Sequence, residues 1–81
     1  MSYSLNAQKL MLEFQQDELN SSLIYGHFAK MVKDEKNKKV LLQIAQDEAH
    51  HAAIWKHYTQ KEVRPNMLKV WWFRFLTYIL G

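Results

Sequence analysis

The chain has no cysteine in 81 residues. Disulfides, zinc–thiolate sites and an iron centre held by four thiolates are therefore excluded. It has one proline and two glycines, so few points can break a helix. Nothing resembles a Gly-rich phosphate loop, a Ser/His/Asp triad, an internal repeat or a low-complexity tract. The N-terminus, Met1-Ser2-Tyr3-Ser4-Leu5, lacks the charged-then-apolar pattern of a signal peptide. The absence of cysteine fits a cytoplasmic location. Neither charge sign dominates: the net charge is +3. The lysines at 33, 36, 38 and 39 are interrupted by Asp34 and Glu35, which reads as a solvated turn. With no basic stripe, a nucleic-acid partner is not expected.

What is present is apolar and helical. Hydrophobic residues make up 48% of the chain and aromatics 14%, a globular profile and not a disordered one. A chain this short buries only a thin core. An oligomer, a metal or a longer chain is expected to supply the rest.

The periodicity predicts three helices, at 5–33, 38–60 and 66–80, in one all-α domain. The turn is expected at 34–37, with Asn37 capping helix two. Pro65 is expected to stop helix two, and Asn66 to cap the third helix. A short connection makes the two long helices antiparallel neighbours. The third segment, 67–80, is apolar nearly all round, interrupted by Lys69, Arg74 and Thr77. Fourteen residues are too few to span a bilayer. The segment is expected to join an oligomer, to lie on a membrane or to lead into a downstream domain of a longer chain.

The informative feature is what interrupts the apolar stripes. Helix one carries Met11, Phe14, Tyr25, Phe28 and Val32 at spacings of three and four, and the same rhythm lands on Glu18 and Ser21. Helix two carries Leu41, Ile44, Trp55 and Tyr58, with Glu48 and His51 on the stripe between them. Buried ionisable groups need a partner or a metal. Glu48-x-x-His51 places a carboxylate and an imidazole one turn apart on one face. Five Glu and four His in 81 positions give roughly 0.25 such spacings by chance, so the motif alone is weak. Glu18 strengthens it. Glu18 and Glu48 lie symmetrically about residue 33, so an antiparallel hairpin brings them level. A metal site is the expectation, with Glu18, Glu48 and His51 as ligands. The plainer alternative is a buried polar network of these three with Ser21 and Tyr25. Carboxylates with one imidazole suit iron, with manganese or zinc as substitutes. Tyr25 and Asp47 are weaker candidates, placed to orient the ligands. His27, His50 and His57 fall off the stripe and are expected at the surface.

Glu18 followed by Ser-Leu-Ile-Tyr-Gly, then Ile-Ala-Gln-Asp-Glu48-Ala-His-His51-Ala, then Trp-Lys-His-Tyr-Thr, resembles the first helix pair of rubrerythrin-like, ferritin-like di-iron proteins. The resemblance covers roughly 10–65. The stretch from Pro65 to Trp72 also resembles the next segment of that family's chains, some of which continue into a membrane-embedded iron transporter domain. The resemblance implies Glu18 as a terminal ligand, Glu48 as a bridging one and His51 as the imidazole. Family members carry a second helix pair with its own Glu and Glu-x-x-His, which these 81 residues lack. They also lack a rubredoxin-like domain. The ligand set is thus expected from a second half or from a second copy. The latter resembles encapsulated ferritins, where the site forms between subunits. The implied fold is a ferritin-like four-helix bundle completed by a homodimer or higher oligomer. The implied activity is Fe(II) oxidation by oxygen or peroxide, of ferroxidase or peroxidase type. A non-enzymatic helical interaction module, or an inactive fragment of a longer rubrerythrin-like protein, is the competing expectation.

Overall fold

A computed structural model describes residues 4–80. The described chain is three α-helices, α1 (Leu5–Met31), α2 (Glu35–Thr59) and α3 (Met67–Leu80), with no strand among the described residues. The all-helical expectation and the three-element order hold.

Helix α1 begins where the Ser4 side chain accepts a hydrogen bond from the Ala7 amide at 3.1 Å, an N-cap that satisfies an otherwise orphan donor. It ends two residues earlier than expected, because Val32 is extended (φ −80°, ψ 131°). The start of α2 also differs from expectation. Asp34, not Asn37, is the N-cap: its Oδ1 accepts from the amides of Lys36 at 2.8 Å and Asn37 at 3.3 Å. Residues 35–37 are thereby helical, and the turn shrinks to 32–34. Its centre is residue 33, the symmetry point of Glu18 and Glu48.

Pro65 does not end α2. The helix stops at Thr59 because Gln60 turns left-handed (φ 56°), the usual way to leave a helix, here without the glycine that makes it cheap. The expected Asn66 cap is present: its Oδ1 accepts from the Lys69 amide at 3.2 Å.

The core differs most from the periodic reading. The buried apolar residues are Ala29, Ala45, Ala52 and Val70. Beside them the amides of Gln15 and Asn20 are 2% and 4% exposed. Phe14 and Tyr58, expected on the inner stripes, are 45% and 51% exposed. Apolar periodicity ranks side chains by transfer energy, whereas two helices approach where side chains are small. Ala45 and Ala52, seven residues apart, therefore take the most buried positions of α2, while Tyr25, Phe28 and Trp55 are half-buried beside them. Phe14 still meets Trp55 there, ring centres 5.4 Å apart.

Both α2 and α3 pack on α1, and they make no close backbone approach to one another. Val70 is fully buried against this base. The 61–66 connection is held by side-chain amides of α1. Gln15 donates to the Lys61 carbonyl at 2.9 Å and accepts from the Thr59 hydroxyl at 2.7 Å. Gln16 donates to the Arg64 carbonyl at 2.9 Å, and Asn20 accepts from the Asn66 amide at 2.7 Å. A connection that lies on a helix must have its backbone groups paired, and uncharged amides can do so at no cost in buried charge.

The result is an open slab, 47 × 24 × 15 Å between Cα extremes. Its radius of gyration is 14.5 Å, against about 12 Å for a compact chain of this length.

Candidate metal centre

The hairpin register brings together the three residues singled out by the sequence. One donor atom from each of Glu18, Glu48 and His51 lies within 4.8 Å of the others. His51 Nδ1 is 3.7 Å from Glu18 Oε2 and 3.7 Å from Glu48 Oε1. Both gaps exceed a hydrogen bond. The carboxylates come from facing helices, and the imidazole comes from one turn further along α2.

Their environment is half-buried. The side chains of Glu18 and Glu48 are 25% and 24% exposed, and that of His51 is 50% exposed. His51 thus stands at the rim, and not on the buried seam where periodicity puts it. The other imidazoles divide: His50 and His57 are exposed as expected, but His27 is half-buried. It lines a separate cleft beside α3.

The electrostatics are those of a charge-deficient site. Glu18 Oε2 is buried and accepts no hydrogen bond among the described residues. The carboxyl of Glu48 favours a proton held between the two acids, and burial and the Glu48 charge act in the same direction. Together they push the Glu18 carboxyl above its ordinary range, while His51 pulls the other way. Two acids facing each other with one unpartnered oxygen call for a positive charge, either a proton or a metal ion. The set of two carboxylates and one imidazole suits a first-row divalent metal such as iron, manganese or zinc. These residues therefore fit the group that the sequence suggests.

The two weaker candidates, Asp47 and Tyr25, have other neighbours. Asp47 is exposed, and its Oδ1 accepts from Gln43 at 2.9 Å. Tyr25 sets its ring edge-on against Phe28, centres 6.0 Å apart. The polar residues that the sequence reading passed over are Gln15 and Asn20, which tie the chain beyond α2 to the helix carrying Glu18. Their signal was faint: uncharged amides on a helix look like surface residues until a partner strand of backbone is placed beside them. Comparison with models of protein families, with curated proteins and with solved structures found no match to this chain.

Proposed function

We propose that the chain is a di-iron-binding protein of the rubrerythrin-like, ferritin-like type, oxidising Fe(II) with oxygen or peroxide at a site shared between two copies. The observation that carries this reading is the orphaned, buried Oε2 of Glu18 beside Glu48 and His51. One copy offers one Glu and one Glu-x-x-His, half of the ligand set of a di-iron bundle. Two copies related by a two-fold axis would complete it. Bound iron would supply one-electron redox chemistry toward dioxygen or peroxide. The chain's part is to hold hard oxygen donors level with each other, to set His51 at the rim, and to keep Glu18 partly out of water.

The exposed surface supports pairing. The chain exposes 6421 Å², where a folded monomer of its 9.7 kDa mass exposes about 5,100 Å². The excess exceeds the roughly 800 Å² that each partner buries in a standard interface. Large apolar side chains such as Leu10, Phe14, Ile54 and Tyr58 contribute to it.

Anaerobic Fe(II) titration followed by air exposure, read by near-ultraviolet absorbance with the mass in solution measured alongside, tests this. Two irons per dimer, with an absorbance rise on aeration, are expected. Metal-free protein that binds no Fe(II) would leave the second reading, a helical module without enzymatic activity. The exposed aromatics of α3 favour that one: Trp71 stacks on Phe75 at 5.9 Å with both rings open to solvent.

A further inference from the structure

Away from the acidic cluster, α2 and α3 leave a cleft over α1 of about 320 Å³. Each helix contributes a cation to it: Lys30 from α1, Lys38 from α2 and Arg74 from α3. His27 and Ser22 line the same space, and no acidic residue among the described ones does. Gly26 lies on this wall, and a Cβ there would meet nothing within 4 Å. None of the three cations forms an ion pair among the described residues, where the ion pairs are those of His51 and Lys56. The run of lysines near the turn reads in sequence as a solvated patch. The fold takes Lys38 out of it, half-buried, and turns it toward Arg74's cleft.

Three like charges gathered around one cavity raise its potential and concentrate anions there. The donors suit a tetrahedral oxyanion: a planar guanidinium fork, two ammonium groups, a hydroxyl and an imidazole. Three cations match a dianion better than a carboxylate. The remaining walls are apolar, from Leu23, Ala29 and Leu42. The volume lies in the range of about 300–1,000 Å³ typical of small-molecule sites and is more than inorganic phosphate needs. We propose that the cleft over Gly26 binds a small organic phosphate monoester, with the phosphate held by Lys30, Lys38 and Arg74 and the organic part against Leu23 and Leu42. This site shares no residue with the acidic cluster and does not depend on it.

Calorimetric titration of the full metal-free chain with phenyl phosphate tests the proposal. One saturable site per chain is expected, with Kd at or below about 1 mM, tighter than for inorganic phosphate. Lys38→Gln and Arg74→Gln should each weaken binding about tenfold or more, as loss of a charge-assisted contact predicts. Lys39→Gln, an exposed neighbour outside the cleft, should change nothing. Gly26→Leu should fill the space and abolish binding with helix content, read by circular dichroism, unchanged. Absence of saturable binding would overturn the site. Equal weakening by Lys39→Gln and Lys38→Gln would reduce it to diffuse surface charge. Equal affinity for phenyl and inorganic phosphate would remove the organic part of the ligand.

Discussion

Nδ1 of His51 on α2 stands 3.7 Å from Oε2 of Glu18 on α1, and that oxygen has no hydrogen bond among the described residues. The two helices are thus held at a register where an acid is partly buried and left short of a partner. The arrangement costs stability without a cation and repays it with one.

Glu18→Gln separates those two terms. The Glu18 carboxyl is raised, chiefly by the neighbouring Glu48 carboxyl. A raised acid contributes stability that is fully present below the ordinary 4.5 and is lost as pH rises through the raised value. At neutral pH the metal-free variant should therefore be more stable, by about 1 kcal/mol for one relieved repulsion and one gained hydrogen bond. At pH 4 the gain should vanish. Fe(II) binding should be lost at every pH. Urea titrations at the two pH values, with metal analysis, check all three outcomes.

Glu48→Ala should abolish metal loading and leave the helix content largely intact. Circular dichroism and iron stoichiometry measure the two separately. Stoichiometric iron retained in this variant would refute the assignment of Glu48 as a ligand.

His27 predicts a pH dependence of its own. Desolvation, then Arg74 and Lys30, push its imidazole below the ordinary 6.5. The unfolded chain binds that proton more readily than the folded one. The associated stability is present above pH 6.5 and is lost as pH falls through the lowered value. His27→Gln should flatten the thermal stability profile just below pH 6.5, as followed by thermal melts across pH 5–7.5.

Gln15 is a stability residue. It is 2% exposed and bridges Thr59 and the Lys61 carbonyl. Gln15→Leu buries an apolar side chain but leaves the Thr59 hydroxyl and the part-buried Lys61 carbonyl without that partner. A loss of about 1–3 kcal/mol is expected in a denaturant titration, whereas the equivalent change at exposed Gln46 should cost under about 0.5 kcal/mol.

Gly26→Ala should act in the opposite direction. The added methyl meets nothing within 4 Å, and alanine is favoured over glycine in a helix interior by about 1 kcal/mol. In a domain of this size that corresponds to a rise of roughly 4–8 °C in Tm.

The sequence by itself determined the three helices, because scarce breakers and three-and-four spacing are local properties. It also determined the level pairing of Glu18 and Glu48, since a short turn fixes the register of a hairpin arithmetically. Even with the turn misplaced at 34–37, the symmetry point at residue 33 fell inside the true one. The tertiary structure decided which residues are buried. Helices approach along small side chains, so Ala29, Ala45 and Ala52 take the most buried positions, Phe14 and Tyr58 are left largely exposed, and His51 stands at the rim. It also decided what the loops and cations do. Gln15 and Asn20 gained purpose only when the 61–66 backbone came beside them. Lys38 and Arg74, far apart along the chain, share a cleft only because α2 and α3 rest on the same helix. Local pattern reports what a residue would favour, and long-range packing sets what it meets.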